Sequence, residues 1–498
     1  MPGTKDHLPV NLYSAEQVRE LDRIAIEDLG ILGYTLMTRA GEYSYACLKN
    51  HWPEAKSIAV ICAGGNNAGD GYVIAGLARE DGKQVTVFYL IDPAELKGDA
   101  VTAYKYLHAC NIEPVPFSAD ALKGFDVIVD AVFGTGLDRD VKGQYYDAIK
   151  AINSSRSQVL SVDIPSGLNA DTGHVMNIAV KANLTPTFIG LKKGMFTGDG
   201  LEYSGTIKFN DLDVPKETYQ RLHESSARRL RLEDMNTVLR PRKRNSHKGN
   251  FGHVLVVGGD SGYLGAARMA AEAAGRVGAG LVSIATRAAH ASVLSLVRPE
   301  IMSHGVETLD ELTHLIHHAD VIAIGPGLGQ SKWAKQLFAH VLKSELPLVI
   351  DADALNLLAK DHLCSKDWVI TPHPGEASRL LNTDAKTIQF NRFQTMIDLK
   401  VNFPGPVVLK GSGTLVADCD GHVFVCDAGN PGMASGGMGD VLTGVIAGLI
   451  AQGIEINLAT KLGVCLHANA ADRAAANSGE RGLLALDLMP HLRSLVNP

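Results

Sequence analysis

Three apolar segments in the first half of the sequence each carry amide, hydroxyl or carboxylate side chains at or near their carboxyl ends. These residues are Asn66, Asn67 and Asp70 after SIAVICA, Asp130 within DVIVDAVFG, and Asp163 and Ser166 after QVLSV. The carboxyl ends of parallel strands meet at one edge of a sheet, where ligands bind. Because no histidine or cysteine joins these oxygen donors, they suit an alkali or alkaline-earth cation or a polar ligand rather than zinc.

The second half contains a glycine loop that leads into a helix, GNPGMASGGMGDVL at residues 429–442. Consecutive backbone N–H groups at a helix N-terminus favour an anion, most simply a phosphate. Asp440 lies at the start of that helix and could be a base or a metal-linked carboxylate beside the phosphate. Lys410 precedes a glycine turn in VVLKGSGT and is interpreted as a further phosphate contact.

Purely structural roles are the alternative for several of these residues. Asp70 and Asp440 could each be an ordinary helix N-cap, and Lys410 could be a solvated surface lysine. His373 lies between two prolines in TPHPGE, which fixes its backbone and favours a ligand contact over a purely structural role. An N-cap does not account for the adjacent amides of Asn66 and Asn67, so we expect the first loop to be functional.

Length and composition indicate a soluble, multidomain α/β protein. The chain has 498 residues, of which 46% are hydrophobic and 20% charged, and its net charge of −7 gives no reason to expect nucleic acid or an anionic membrane. The seven cysteines are scattered without a CxxC pair, which indicates a reducing compartment. No signal-peptide core or bilayer-length apolar run is visible, so we expect a cytoplasmic protein.

Apolar runs alternate with helical stretches in both halves, which predicts two doubly wound parallel sheets in series. A capping box at Ser14 begins the first helix, and another helix is expected from about Gly71. A hairpin should turn at Asp420-Gly421. A polar, arginine-rich stretch near residue 225 separates the halves, giving predicted domains 1–224 and 225–498. Its basic segment, RPRKRNSHKG, lacks interleaved aromatics and is interpreted as a solvated linker.

Taken together, these motifs resemble known families. GGNNAGDG, VFGTGLDRD and VDIPSGLNADTG resemble the NAD(P)H-hydrate epimerases. SHKGNFGHVLVVGGDSGYLGAA, GPGLG, TPHPGE, KGSGT and GNPGMASGGMGDVL resemble the NAD(P)H-hydrate dehydratases of ribokinase-like fold. Their order is similar to that of the fused prokaryotic repair enzymes. The resemblance implies a Rossmann-like three-layer α/β/α domain followed by a ribokinase-like α/β domain. Met438 and Ser435 depart from the family pattern, in which threonine is common.

The resemblance also implies site residues. The epimerase site would contain Asn66, Asn67, Ala68, Gly69, Asp70, Gly134, Thr135, Gly136, Leu137, Asp138, Arg139, Asp140 and Asp163. Asn67, Asp130 and Ser166 would hold potassium. In the second half, Ala266, Gly327, His373 and Asp440 would face the hydrate, while Lys410, Gly411, Ser412, Gly413, Thr414 and Gly439 would bind the nucleotide. Asp163 and Asp440 would be the catalytic groups.

The implied reactions repair a damaged cofactor. Water adds to the nicotinamide ring of NADH or NADPH and gives R and S hydrates. The first half would interconvert the epimers, and the second half would dehydrate the S form with a nucleotide and magnesium. The resemblance to the fused prokaryotic enzymes implies ADP, while the residues themselves are compatible with ADP or ATP. We expect a homo-oligomer that acts on small molecules, without nucleic acid or membrane partners. Two alternatives are a ribokinase-like small-molecule kinase with a regulatory N-terminal half, and an N-terminal half that is only a binding module.

Overall fold

The computed structural model describes residues 8–222, 224–361 and 363–497. The chain divides into two compact units, Met1–Arg229 and Leu230–Pro498. Within the described residues, no helix is both long enough and apolar enough to cross a bilayer.

The first unit alternates strands and helices. Its strands are β1 (Asn11–Tyr13), β2 (Ser57–Cys62), β3 (Gln84–Tyr89), β4 (Val115–Pro116), β5 (Val127–Ala131), β6 (Gln158–Ser161), β7 (Leu184–Phe188), β8 (Leu191–Lys192), β9 (Thr206–Asn210) and β10 (Ala227–Arg229). Its helices are α1 (Ala15–Arg23), α2 (Gly33–His51), α3 (Gly65–Glu80), α4 (Asp99–Ala109), α5 (Gln144–Ser154), α6 (Gly200–Tyr203) and α7 (Lys216–Gln220). The predicted capping box begins α1, since Ser14 Oγ accepts from the Gln17 N–H at 3.1 Å and Ser14 N–H donates to Gln17 Oε1.

The main sheet of the first unit is parallel, in the order β4-β3-β2-β5-β6-β7-β9. Alternate residues of its central strands face two separate cores. Val60 and Val129 pack with α1 to α4, whereas Ile61 and Ile128 pack with α5. This confirms the three-layer α/β/α prediction. A small side sheet pairs β1 antiparallel with β10 and parallel with β8.

The second unit is also α/β. Its strands are β11 (His253–Val257), β12 (Leu281–Thr286), β13 (Met302–Gly305), β14 (Val321–Ile324), β15 (Leu348–Ile350), β16 (Trp368–Ile370), β17 (Val407–Leu409), β18 (Thr414–Ala417) and β19 (Val423–Cys426). Its helices are α8 (Leu264–Arg276), α9 (Ala288–Val297), α10 (Leu309–Ile316), α11 (Lys332–Val341), α12 (Ala352–Asp361), α13 (Pro374–Leu380), α14 (Ala385–Phe390), α15 (Arg392–Asn402), α16 (Met438–Ala451), α17 (Ile456–Ser478) and α18 (Leu488–Leu495).

The sheet of the second unit follows the order β13-β12-β11-β14-β15-β16-β17-β18-β19. Pairing is parallel from β13 to β17 and antiparallel from β17 to β19. The predicted hairpin joins β18 to β19, and the N–H of Gly421 (φ +87°) donates to the Asp418 carbonyl at 3.1 Å. One large core packs α8, α16, α17 and α18 against one face of this sheet.

Candidate functional sites

The motif GGNNAGDG, residues 64–71, is largely helical, although the sequence predicted a loop there with a helix only from about Gly71. Helix α3 begins at Gly65 rather than near Gly71, and its N-cap is Gly64. The prediction of a turn at Asn66 and Asn67 is therefore wrong, as is the N-cap interpretation of Asp70, which lies in the second turn. The small residues let α3 approach its neighbours, because a Cβ on Gly69 would lie 2.5 Å from the Met37 sulfur. Among the residues that the structure describes, no side chain caps this helix, and its first turn contains no acidic residue.

Asp130 and Ser166 form a buried polar cluster at the carboxyl end of β5. Both are fully buried, and Asp130 Oδ1 accepts from Ser166 Oγ at 2.5 Å while Oδ2 accepts from the Ser166 N–H at 2.9 Å. Ser161 Oγ donates to the same carboxylate at 2.8 Å. Burial raises the pKa of Asp130, and in the described structure no basic side chain offsets its charge.

Asn67 has a buried side chain whose hydrogen bonds are incomplete in the described structure. Its side chain is 8% exposed, and its Nδ2 finds no hydrogen-bond partner among the described residues. A Cβ placed on Gly134 would lie 3.8 Å from the Asn67 side chain, so the loop 134–140 follows β5 close to this amide. The predicted residues Asn67 and Gly134 are thus brought together. Of the same loop, Gly136 and Asp138 to Asp140 are exposed, whereas Thr135 and Leu137 are partly buried.

Asp163 adopts a left-handed backbone conformation with φ +69°, which is unusual for a non-glycine residue. Its Oδ1 accepts from Thr187 Oγ1 and from the Phe188 N–H, each at 3.3 Å, and contacts the Lys192 ammonium. Lys192 is fully buried, and its Nζ also donates to Thr187 Oγ1 at 2.9 Å and to the Phe188 carbonyl at 3.2 Å. The sequence interpretation missed Lys192, because nothing in GLKKGM distinguishes it from Lys193.

Two further carboxyl groups act electrostatically on this pair. Burial, together with the charges of Asp163 and Asp22, raises the pKa of Asp70 well above its usual value. Burial and Asp163 likewise raise the pKa of Asp22 to about 7, while Lys192 opposes the shift. In the described structure, Asp22, Asp70 and Asp163 thus lie within electrostatic range of the Lys192 ammonium. Buried carboxyl groups with raised pKa values are typical of sites that carry out acid/base chemistry.

The second unit contains a compact ionic cluster around Lys410, at the end of β17. Its Nζ lies 2.6 Å from Asp351 Oδ1 and 3.7 Å from Glu376 Oε2, and Thr443 Oγ1 donates to Asp351 Oδ2 at 2.7 Å. Burial would raise the pKa of Asp351, but the Lys410 ammonium lowers it on balance. The alternative of a solvated surface lysine is therefore wrong. The sequence interpretation missed Asp351 and Glu376.

Asp440 lies in the first turn of α16, whose N-cap is Gly437 in the left-handed conformation. Burial and the charges of Asp351, Asp353 and Glu376 raise its pKa to about 7, against the influence of Lys410. A Cβ on Gly439 would lie 3.2 Å from Lys410 Nζ. The glycine-rich N-terminus of α16, residues 436–439, is called the glycine nest below. The nest, Lys410 and Asp440 thus lie together. The N-cap alternative for Asp440 is wrong, because Gly437 is the N-cap.

A buried arginine, Arg392, hydrogen-bonds to the backbone just before the loop 411–414. Arg392 is 1% exposed, and its guanidinium donates to the carbonyls of Leu409 at 3.1 Å and Lys410 at 3.3 Å. Burial lowers its pKa to about 10, so the group remains a cation. Gly411 (φ +140°) and Gly413 (φ +61°) require conformations that disfavour side chains. Arg392 was also missed, since an arginine in a helical stretch is typical of a solvated face.

The residues that the resemblance assigns to the hydrate lie at strand or helix ends. A Cβ on Gly327 (φ +58°) would lie 3.2 Å from the Ala266 Cβ, so these two residues are adjacent. His373 is the N-cap of α13, with Nδ1 accepting from the Gly375 N–H at 2.9 Å. Its Nε2 lies 3.3 Å from Glu376 Oε1, and burial with Lys410 lowers its pKa. His373 therefore combines a capping role with a half-exposed ring beside the ionic cluster.

The two departures from the family pattern have structural roles. Met438 is 6% exposed and packs in the core beneath α16. Ser435 Oγ donates to the Leu483 carbonyl at 3.0 Å. Both side chains therefore make contacts within the protein.

The comparisons with known proteins cover both units. The family model described as YjeF-related protein N-terminus matches residues 33–194, and that of NAD(P)H-hydrate dehydratase matches residues 254–493. The chain is 50% identical over 487 residues to the bifunctional NAD(P)H-hydrate repair enzyme of Coxiella burnetii, covering 98% of this chain and 99% of that protein. It is 40% identical over 498 residues to the Escherichia coli protein of the same description, covering 99% and 95%.

Among solved structures, a ribokinase-like superfamily protein from Enterococcus faecalis is 32% identical with a TM-score of 0.51, covering 55% of this chain and 97% of that one. The second unit is accordingly a ribokinase-like α/β domain, as predicted. The chain belongs to the family of bifunctional NAD(P)H-hydrate repair enzymes. Membership favours repair over both alternatives, the small-molecule kinase and the N-terminal binding module.

Proposed function

We propose that the first unit epimerises R and S NAD(P)H hydrates at the carboxyl edge of its sheet, with Asp163 as the acid/base group. Inverting the carbon that bears the hydroxyl group requires one of its bonds to break and re-form on the other face. When a side chain takes the hydroxyl proton, the bond from this carbon to the ring nitrogen can open, and its closure on the other face with return of the proton gives the other epimer. Asp163 is supported by its fixed backbone and by its 16% exposed side chain beside Lys192. The uncapped N-terminus of α3 offers backbone N–H groups to the dinucleotide phosphates.

Potassium is the proposed ion of this unit. The support for this is the buried Asp130 carboxylate, which has no basic partner in the described structure, and the adjacent Ser166 hydroxyl. With the side-chain oxygen of Asn67 as a third ligand, these oxygen donors would suit a monovalent cation. When bound, the ion supplies fixed positive charge beside the hydrate. Replacing potassium with choline should reduce epimerisation at least tenfold while dehydration of the S form continues. Equal epimerisation rates in both salts would contradict this assignment.

The second unit is proposed to dehydrate the S hydrate with ADP and magnesium. Hydroxide is a poor leaving group, and phosphorylation of the hydroxyl makes a good one. Phosphate then leaves with the electrons of the C–O bond, and the adjacent ring carbon loses a proton, which restores the double bond of the reduced nicotinamide. Asp440 would accept the hydroxyl proton as the phosphoryl group is transferred, and the glycine nest would stabilise the charge on that group. Magnesium, bound mainly through the nucleotide phosphates, would neutralise further charge. The observation that carries this proposal is the convergence of Asp440, Lys410 and the nest.

The choice of nucleotide is tested with purified S hydrate, magnesium and either ADP or ATP. We expect ADP to restore the absorbance of the reduced nicotinamide, with one inorganic phosphate and one AMP formed for each hydrate consumed. Faster turnover with ATP would contradict the ADP assignment but preserve the mechanism. Accumulation of a stable phosphorylated product without reduced cofactor would support the kinase alternative instead.

The raised pKa of Asp440 predicts a pH dependence. A proton acceptor must be ionised, and a pKa of about 7 leaves Asp440 increasingly protonated as the pH falls below neutrality. We therefore expect kcat/KM for dehydration to rise through pH 7 and to level off above pH ~8. For Asp440→Asn, measured at its lower residual rate, kcat/KM should not rise through pH 7. The same rise in the variant would assign the titration to another group.

A further inference from the structure

Lys192 and Asp163 form a buried charge pair in the first unit's candidate site. Lys192 lies on β8, which the side sheet fixes by pairing Tyr13 with Lys192. Three acceptors surround its three ammonium protons: Asp163 Oδ1, Thr187 Oγ1 at 2.9 Å and the Phe188 carbonyl at 3.2 Å. A buried lysine is costly unless it is paired in this way. The side chain therefore has one defined position.

The contacts of Asp163 are one-sided. Lys192, Thr187 Oγ1 and the Phe188 N–H all reach Oδ1. Within the described ranges no hydrogen bond reaches Oδ2, although the side chain is only 16% exposed. One carboxylate oxygen is therefore held by the protein, and the other is available to a ligand. The left-handed backbone at φ +69° further restricts the direction of this side chain.

We propose that Lys192 is a positioning residue for epimerisation: it anchors Oδ1 of Asp163 and compensates its charge, so that Oδ2 alone exchanges a proton with the hydrate. This inference rests on the proposed function of the first unit. Lys192 itself is too deeply buried to contact substrate, so it acts through Asp163. Asp22 on α1 and Asp70 on α3 are the other charged groups that act on the pair, and both add negative charge.

The consequence for the reaction follows from this contact. If Lys192 were replaced, Asp163 Oδ1 would lose a hydrogen-bond donor and an adjacent positive charge, while Asp22 and Asp70 remained nearby. We therefore expect kcat for epimerisation to fall with little change in KM, because substrate contacts other than Asp163 remain in place. A residue that serves only packing would change the stability of the fold without this selective loss of kcat.

The test compares Lys192→Met and Lys192→Gln with Lys193→Met in the full chain. Methionine keeps the length of the side chain without its charge, and glutamine keeps one hydrogen-bond donor. Lys193 is the adjacent, partly buried lysine, near Asp171 rather than Asp163. Epimerisation of R hydrate is followed by chromatography at several pH values, with S-form dehydration as internal control and thermal unfolding as the measure of folding.

We expect both Lys192 variants to lose at least 100-fold in kcat for epimerisation, with KM changed less than threefold. Lys193→Met and S-form dehydration should match the wild type. Wild-type kcat in either folded Lys192 variant would overturn the proposal. Unfolding of the first unit in both, with Lys193→Met folded, would also overturn it and assign Lys192 to stability. A wild-type chain without epimerisation would instead contradict the proposed function.

Discussion

Asp163→Asn is expected to abolish use of the R hydrate while leaving dehydration of the S hydrate unchanged. Loss of a positioned acid/base group costs about 10²–10⁴-fold in rate. Asparagine is the substitution that this site tolerates best, since it adopts left-handed backbone conformations more readily than most residues and keeps an acceptor for Lys192. The measurement is the disappearance of each epimer, with the slow spontaneous interconversion subtracted.

The fused chain supplies the control for Asp163→Asn, because the second unit reports on integrity and concentration in the same sample. Asp120→Asn, at an exposed position of the first unit, is the matched variant and should behave as the wild type. Unchanged R-form turnover in Asp163→Asn would remove Asp163 from the reaction. It would also revive the alternative of a binding module.

Asp440→Asn is expected to reduce dehydration by about 10²–10⁴-fold while the nucleotide still binds. The neutral amide cannot accept the hydroxyl proton, but it leaves the backbone of the nest and the Lys410 cluster in place. Removing a negative charge near the phosphates should not weaken binding, so we expect the nucleotide Kd within threefold of the wild type. Calorimetric titration measures binding, and absorbance recovery measures turnover.

Epimerisation by the first unit is the internal control for Asp440→Asn, and it should be unchanged. If dehydration by this variant equals that of the wild type, Asp440 has only a structural role at the start of α16. If turnover and nucleotide binding are lost together, Asp440 contributes to binding rather than to proton transfer.

The sequence was sufficient for the architecture because most strands are continuous apolar runs. β2, β5, β11 and β14 are examples, and their buried patterns confirm the prediction of parallel sheets. The edge strand β13, with sequence MSHG, was not predicted, because it has no apolar run. The start of α3 was misplaced because GGNNAGDG has low helix propensity. Close packing of α3 against its neighbours outweighs that propensity.

The candidate sites were only partly predictable, since their charges are balanced by residues far away in sequence. Asp163 and Asp440 were predicted as site residues because they lie in recognisable motifs. Lys192 and Asp351 were not predicted. Lys192 becomes distinct from Lys193 only when β8 pairs with β1 and buries it. Asp351 follows β15, and its partner Lys410 follows β17, 59 residues later. The order of strands in the sheet brings the two members of such an ion pair together. A local sequence pattern therefore does not predict the pair.

Two sites on one chain are proposed to repair both epimers of one damaged cofactor. The most direct measurement follows R and S hydrates of NADH, mixed with the protein, potassium, magnesium and ADP, by chromatography of each epimer and by reduced-nicotinamide absorbance. We predict that both epimers are consumed completely and that the reduced cofactor is recovered in full. Consumption of the S form alone, with the R form declining only at its spontaneous rate, would contradict the claim.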